Sequence, residues 1–309
     1  MAAVDDLIRH SLHSDVVLIR SVAEYIIGGG GKRLRPALVL LSAKTAGYRG
    51  KSHLDLAAVV EFIHTATLLH DDVVDESQLR RGRKTANAEF GNAASVLVGD
   101  FLYSRAFQMM VTVGSMRVME VLAEATNTIA EGEVLQLLNT HNADISEEGY
   151  IAIIHRKTAK LFEAAAQLGA ILGGASDEVE QGLAKYGMHL GTAFQLIDDV
   201  LDYSGDAAST GKSLGDDLNE GKPTLPLIHV LRRGASEHAS VVRRAIEQGG
   251  RDGFAEVLVA IKASGALEYA SDAARAEALK ARQALTVLPN SIYKDSLLKL
   301  ASFAVERDH

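Results

Sequence analysis

Two short acidic stretches hold the residues best suited to chemistry. The first, HDDVVD, places Asp71, Asp72 and Asp75 behind an apolar run and just ahead of Arg80 and Arg81; the second, IDDVLD, places Asp198, Asp199 and Asp202 behind another apolar run. On an α-helix, positions i and i+4 lie one above the other, so Asp71 with Asp75 and Asp198 with Asp202 each project from one face and can share a cation. Like carboxylates at that spacing repel, and on the buried side of a bundle their desolvation is costly unless cations compensate. Two such helices facing one cavity therefore imply metal. All-oxygen carboxylate ligation suits Mg²⁺, which keeps several waters and completes its shell with phosphate oxygens. A calcium EF-hand does not fit, because its loop glycine and downstream glutamate are missing. Nor does zinc: His64 and His70 fall on different faces of a helix.

Basic residues flank both motifs. Arg80, Arg81 and Arg83 follow the first, Lys212 and Lys222 follow the second, and Lys32, Arg33 and Arg35 stand in GGGGKRLRP. Cations on either side of a carboxylate cluster favour a bound polyphosphate. A glycine-rich loop that leads into a helix adds backbone amides for an anion. It is not a Walker A loop, since the Gly-Lys-Ser/Thr ending is absent.

The elements that must position these groups are helices. Proline occurs only four times, and Ala, Leu and Glu recur at helical spacing, so the chain reads as all-α. Glycine clusters or polar breaks at 28–31, 47–52, 140–146, 173–177, 204–222, 233–237 and 249–253 divide the helices. The segment 54–79 is apolar on most sides, the pattern of a central helix in a bundle. No Pro/Ser/Gly linker separates two halves, so residues 1–309 are expected to form a single domain.

Composition narrows the function further. A net charge of −8 with no long basic stretch argues against nucleic-acid binding, and 47% hydrophobic residues supply a large core. Cysteine is absent, which removes disulfides, zinc-thiolate sites and cysteine nucleophiles. The N-terminus carries charges where a signal peptide has its apolar core, and no apolar run is long enough to span a bilayer. A cytoplasmic protein is expected.

With both motifs and the glycine-rich loop in place, the chain resembles the trans-isoprenyl diphosphate synthases, most closely the bacterial octaprenyl and related long-chain polyprenyl enzymes. The likeness rests on GGGKRLRP, FIHTATLLHDDVVDESQLRRG, GNAASVLVGD, KTAKLFEAAA, GTAFQLIDDVLDYSGD and GKSLGDDLNEGKPTLP, in family order along nearly the whole chain. It implies an isoprenoid-synthase-type helical bundle around a deep cavity, a homodimer, and Mg²⁺-dependent head-to-tail condensation of isopentenyl diphosphate onto an allylic diphosphate such as farnesyl diphosphate. About three Mg²⁺ ions per active site are implied when substrate is bound. Asp71, Asp75 and Asp198 would hold metal, with Asp72, Asp199 and Asp202 lining the site. Lys32, Arg35, His64 and Arg81 resemble the isopentenyl diphosphate pocket, and Arg80, Lys157, Thr158, Gln195, Lys212 and Lys222 resemble allylic-diphosphate contacts. No residue is assigned as the proton-abstracting base.

The resemblance also bears on product length. No aromatic residue stands among Thr65, Ala66 and Thr67, so the path for the growing tail is expected to stay open, with Phe107 and Met110 as candidates for its floor. One helical turn rises about 5.4 Å, close to one extended isoprene unit. Octaprenyl diphosphate, a precursor of quinone side chains, is the expected product, with hepta-, nona- and decaprenyl as alternatives. Transient membrane contact is expected for release of so apolar a product. Two other readings are weaker: a class I terpene cyclase needs only one diphosphate pocket and usually carries a mixed Asn/Ser/Glu second motif, and a non-catalytic partner subunit usually lacks one acidic motif.

Overall fold

Helices take almost every described residue outside the turns, as the Ala- and Leu-rich periodicity predicts. The computed structural model of the chain describes residues 1–204, 214–250 and 252–306. These group into two compact units. The first comprises Met1–Thr126, Leu161–Gly187 and Leu285–Leu297; the second comprises Asn127–Lys160, Met188–Ala284 and Leu298–His309, of which Arg307 to His309 lie outside the described residues.

The first unit opens with α1 (Ala2–Ser11), α2 (Val17–Gly28), α3 (Leu34–Thr45) and α4 (Ser52–Val74). Helix α4 is its centre and packs on α1, α3, α5 (Ala86–Phe90) and α6 (Asn92–Thr112). From Leu56 to Ile63 every residue is buried, Glu61 included, which is the burial expected of a helix that is apolar on nearly all sides. Each fully buried Leu, Ile or Phe there contributes roughly 1.5–3 kcal/mol relative to exposure. The approach of α6 is close: Ser95 Oγ donates to the Leu69 carbonyl at 2.9 Å, and Gly99 lies under the His70 ring, where a Cβ would come within 2.3 Å of Nε2.

Helix α4 ends at Val74, five residues short of the predicted 79. Asp75 caps it, its N–H bonded to the Asp71 carbonyl at 2.8 Å, and Glu76 turns the chain away with φ 51°. Instead of more helix, a short hairpin follows. Strands β1 (Leu79–Arg80) and β2 (Arg83–Lys84) pair antiparallel across the two residues Arg81 and Gly82, whose φ values of 54° and 71° are those of a type I′ turn.

The chain continues through α7 (Met116–Asn139), α8 (Glu147–Ile154), a π-turn at His155–Ala159, α9 (Lys160–Leu172) and α10 (Asp177–Ser204). After the residues not described come α11 (Asp216–Asn219), α12 (Leu225–Arg233), α13 (Ser236–Gln248), α14 (Phe254–Ser264), α15 (Ala266–Ala284) and α16 (Ile292–Glu306). In the second unit α12 is central and packs on α8, α13, α14 and α15. Pro226 sits in its first turn, where the missing N–H costs nothing. Two apolar clusters fill this unit, one around Leu227, Val242 and Ile261, the other around Ile154, Leu196 and Ile228.

Every predicted break falls at a helix end among the described residues; that at 204–222 is described only in part. The sequence reading missed the break between α6 and α7, which rests on Gly114 at φ 71°.

Candidate active site

The end of α4, the hairpin and the glycine loop form a hollow in the first unit. Its lining includes Gly29, Gly30, Arg33, Glu61, His64, Asp72, Arg80, Arg81, Arg83 and Lys84. Asp72, fully buried, takes the Arg80 guanidinium: Nε lies 3.0 Å from Oδ1 and 3.3 Å from Oδ2, and Nη2 lies 2.6 Å from Oδ1. Burial works to lower the Arg80 pKa, but the Asp72 hydrogen bond and the charges of Asp72, Asp71 and Asp75 raise it overall. Asp71 and Asp75, one turn apart, stay half-buried. The middle carboxylate is thus held by protein, while the two flanking ones keep access to solvent.

Arg81 occupies the first central position of the tight turn in a left-handed conformation, and its Nη1 donates to the Gly30 carbonyl. Gly31 lies beneath the same guanidinium, where a Cβ would sit 3.0 Å from Nη1. The guanidinium tip could give way to a Cβ, but Gly31 also stands at φ 153°, a backbone conformation that other residues adopt only with strain. Arg33 begins α3 in the left-handed region at φ 49° and bonds Glu61 within the hollow, with Asp5 at 3.6 Å. Strained backbone of this kind persists only where surrounding contacts hold it, and it clusters at functional sites. The His64 pKa is pushed well below 6.5 by burial and then by the charges of Arg35, Arg80, Arg81 and Arg33. The imidazole is therefore neutral and faces a field of guanidinium groups suited to an anion.

Lys32 is exposed, and the Arg35 guanidinium lies over the Phe162 ring, 4.3 Å from its centroid. Neither lines the hollow. Arg80, grouped by the sequence reading with the allylic contacts, lines it together with Arg81 and His64. Of the chain-length candidates, Ala66 and Met110 are fully buried, Thr67 is half-buried with its hydroxyl on the His64 carbonyl at 2.8 Å, and Phe107 is 36% exposed.

The second unit holds its own hollow, lined by Tyr150, Lys157, Thr158, Gln195, Asp199, Asp217 and Lys222 among others. The π-turn supplies Lys157 and Thr158. A wider helical turn re-aims side chains, and such turns recur at functional sites. Gly132 of α7 permits the close approach, since a Cβ there would lie 2.6 Å from the Lys157 nitrogen. Lys157 Nζ pairs with Glu133 at 2.5 Å, and Lys222 Nζ with Glu220 at 2.6 Å. Asp199 is fully buried like Asp72; Tyr150 Oη donates to its Oδ2, and Gln195 Nε2 donates to its Oδ1 at 3.0 Å. Asp202 spends both oxygens on the amides of Asp216 and Asp217, each 3.2 Å away, and so caps α11. Asp198 is half-buried. Lys212 lies outside the described residues.

Among the described residues no group of three or more His, Asp and Glu side chains is arranged to hold a metal through protein ligands alone. In the first unit the half-buried carboxylates of Asp71 and Asp75, and in the second that of Asp198, are hard oxygen donors of the kind that suits a cation such as Mg²⁺, which takes the rest of its shell from water and phosphate.

Comparison with known proteins gives the class. The polyprenyl synthetase family model matches residues 16–261. The chain belongs to that family. It is 58% identical over 309 residues to the octaprenyl diphosphate synthase of Escherichia coli (strain K12), covering 100% of this chain and 96% of that protein. It is 46% identical over 307 residues to the all-trans-nonaprenyl-diphosphate synthase (geranyl-diphosphate specific) of Rhodobacter capsulatus, covering 99% and 94%. Among solved structures, the polyprenyl synthase of Caulobacter crescentus CB15 complexed with calcium and isoprenyl diphosphate superposes with a TM-score of 0.97 at 47% identity, covering 100% of this chain and 95% of that one. The isoprenoid-synthase helical fold and the prenyltransferase class read from the motifs are borne out.

Proposed function

We propose that this chain is a long-chain trans-polyprenyl diphosphate synthase that condenses isopentenyl diphosphate onto an allylic diphosphate such as farnesyl diphosphate and stops at octaprenyl diphosphate, for quinone side chains. One observation carries the reaction: each hollow joins the buried middle aspartate of one acidic motif to basic groups suited to a diphosphate. Two diphosphate-binding sets match two diphosphate substrates, whereas a cyclase needs one. The intact second motif speaks against a non-catalytic subunit. The octaprenyl product rests on the 58% identity with the Escherichia coli enzyme.

In this reading Arg81, Lys32, Arg35 and His64 bind isopentenyl diphosphate. The neutral His64 contributes a hydrogen bond without repelling the neighbouring guanidinium groups. Lys157, Thr158, Gln195, Lys212 and Lys222, with Arg80, bind the allylic diphosphate. Asp71, Asp75 and Asp198 would hold Mg²⁺, which supplies charge neutralisation to the departing diphosphate. Asp72, Asp199 and Asp202 line the site, each hydrogen-bonded to protein groups. The allylic carbon–oxygen bond breaks, the isopentenyl double bond attacks the resulting cation, and a proton leaves to restore an allylic product. Ala66 and Thr67 leave the tail path open, with Phe107 and Met110 as its floor.

The active form is a homodimer in the cytoplasm, with transient membrane contact for product release. Among the described residues no helix is long and apolar enough to cross a membrane. The test is incubation of the purified chain with labelled isopentenyl diphosphate, farnesyl diphosphate and Mg²⁺. Label should enter an acid-labile polyprenyl diphosphate, and chelation of the metal should stop it; no incorporation at any metal concentration would refute the reading.

A further inference from the structure

Helix α4 ends in the hydrogen bonds of a Schellman cap. The Ser77 N–H donates to the Asp72 carbonyl at 3.0 Å and the Glu76 N–H to the Val73 carbonyl at 3.3 Å, which places Asp75 at the last position before the chain reverses. Glu76 follows in the left-handed position, at φ 51°. Glycine usually stands there, because a side chain is strained in that conformation. Such a conformation persists only where surrounding contacts hold it.

Asn87 of α5 supplies the hold. Its Nδ2 donates to the Asp72 carbonyl at 3.0 Å and to the Ser77 carbonyl at 3.3 Å, the first and last residues of the cap. One side-chain amide thus bridges the backbone on both sides of Asp75. The side chain is buried, and its Oδ1 has no hydrogen-bond partner among the described residues. Flipping the amide would set that oxygen against two carbonyls, so the bridging orientation is the one the network selects. An unpaired buried acceptor is a cost that a residue serving packing alone would avoid, since leucine fills a similar volume without it. Thr85 ties down the same segment: its hydroxyl donates to the Ser77 carbonyl at 2.6 Å and its N–H to the Gln78 carbonyl at 3.0 Å, just before the hairpin.

Resting on the function proposed above, we infer that Asn87 is a positioning residue for the first acidic motif: by bridging the Asp72 and Ser77 carbonyls it holds the cap that sets Asp75 one turn from Asp71. The ligand that this pair of carboxylates then receives is a divalent cation with a diphosphate. Asn87 touches neither. It acts on the backbone that carries Asp75, through bonds made to backbone carbonyls.

Asn87→Leu removes both donated bonds, yet each carbonyl keeps a donor, the Ser77 N–H for Asp72 and the Thr85 hydroxyl for Ser77, so the fold should survive. Asn87→Ala is read in the same way if the leucine variant does not fold. The experiment uses the full-length protein and measures amide hydrogen exchange over 72–77, Mn²⁺ binding by electron paramagnetic resonance with inorganic pyrophosphate, and the Mg²⁺ dependence of turnover. Exchange at the Glu76 and Ser77 amides should speed up about 10-fold, as expected for loss of a supporting hydrogen bond. Half-saturating Mn²⁺ should rise about 10-fold, with turnover recovering at high Mg²⁺. Adding Glu76→Gly, which takes the left-handed position without strain, should restore part of the Mn²⁺ affinity, an effect that lost packing would not show. Ser95→Ala is the control: its hydroxyl donates to the Leu69 carbonyl of the same helix at 2.9 Å, ahead of the motif, so its loss should leave Mn²⁺ binding unchanged. Parental exchange and Mn²⁺ affinity in the Asn87 variants overturn the inference, as does equal weakening in the Ser95 control or no recovery with Glu76→Gly. Failure of the parent to bind Mn²⁺ with pyrophosphate, or to condense the substrates, would instead overturn the function on which the inference rests.

Discussion

Replacing Arg80 with alanine should destabilise the protein far more than replacing Arg81, although the two are adjacent in sequence and both line the same hollow. Asp72 is fully buried and Arg80 compensates its charge through two nitrogens, with contacts of 2.6 to 3.3 Å. The nearby amide of Asn87 donates to the Asp72 backbone carbonyl at 3.0 Å and gives the carboxylate no substitute. Removing one partner of a buried pair leaves an uncompensated charge and costs about 3–5 kcal/mol. The Arg80 side chain is 24% exposed, so solvent screens part of that loss and the lower end, about 3 kcal/mol, is expected. Arg81 is exposed and donates to a carbonyl of the glycine loop with no buried charge depending on it among the described residues, so Arg81→Ala should cost about 1 kcal/mol or less. Urea unfolding followed by circular dichroism gives both values. Adding Asp72→Asn to Arg80→Ala should recover part of the loss, because the orphaned charge is gone. An Arg80→Ala protein within about 1 kcal/mol of the parent would refute the reasoning.

Asp71→Ala or Asp198→Ala should nearly abolish condensation with the helical circular dichroism unchanged; near-parental turnover of either folded variant at saturating Mg²⁺ would contradict their assignment as metal ligands. Ala66→Phe should shorten the product to about three or four isoprene units, since each helical turn matches about one unit, and should cost about 1–3 kcal/mol by overpacking a fully buried position. Chromatography of the dephosphorylated products reads the outcome, and unchanged chain length would count against the tail path. Stability should fall as pH drops below 6.5 because His64, with its folded pKa lowered, stays neutral while the unfolded chain takes up a proton. His53 and His155 are lowered in the same direction, so His64→Gln should reduce the loss measured between about pH 7 and 5.5 without eliminating it; an identical loss would show that His64 does not contribute.

Sequence carried the large features because they follow from local physics. Helix breaks coincide with glycines that take positive φ, such as Gly30, Gly47 and Gly253, and the i, i+4 spacing of Asp71 and Asp75 needs nothing beyond helical periodicity. Apart from the local break at Gly114, the departures depend mainly on contacts outside the helix concerned. Arg81 takes the first position of a type I′ turn usually given to Asn or Gly, and it is held there by the carbonyl of Gly30 on another segment. The end of α4 at Val74 follows from that same hairpin. The π-turn at His155–Ala159 has no signature in residue type, and α7 meets it at Gly132, a glycine whose small size reads as a weak helix position in sequence. Tyr150 carries no signal in the sequence because its partner, Asp199, lies 49 residues away. Asp202 matched the motif but serves as a cap, a role visible only once the α11 amides are located.

The most direct test of the account is the length of the product made by the purified chain from labelled isopentenyl diphosphate and farnesyl diphosphate with Mg²⁺. Intermediates should form a ladder that ends at octaprenyl diphosphate, each step adding one unit. A single cyclised hydrocarbon from the allylic substrate alone, or no product longer than the primer, would contradict it.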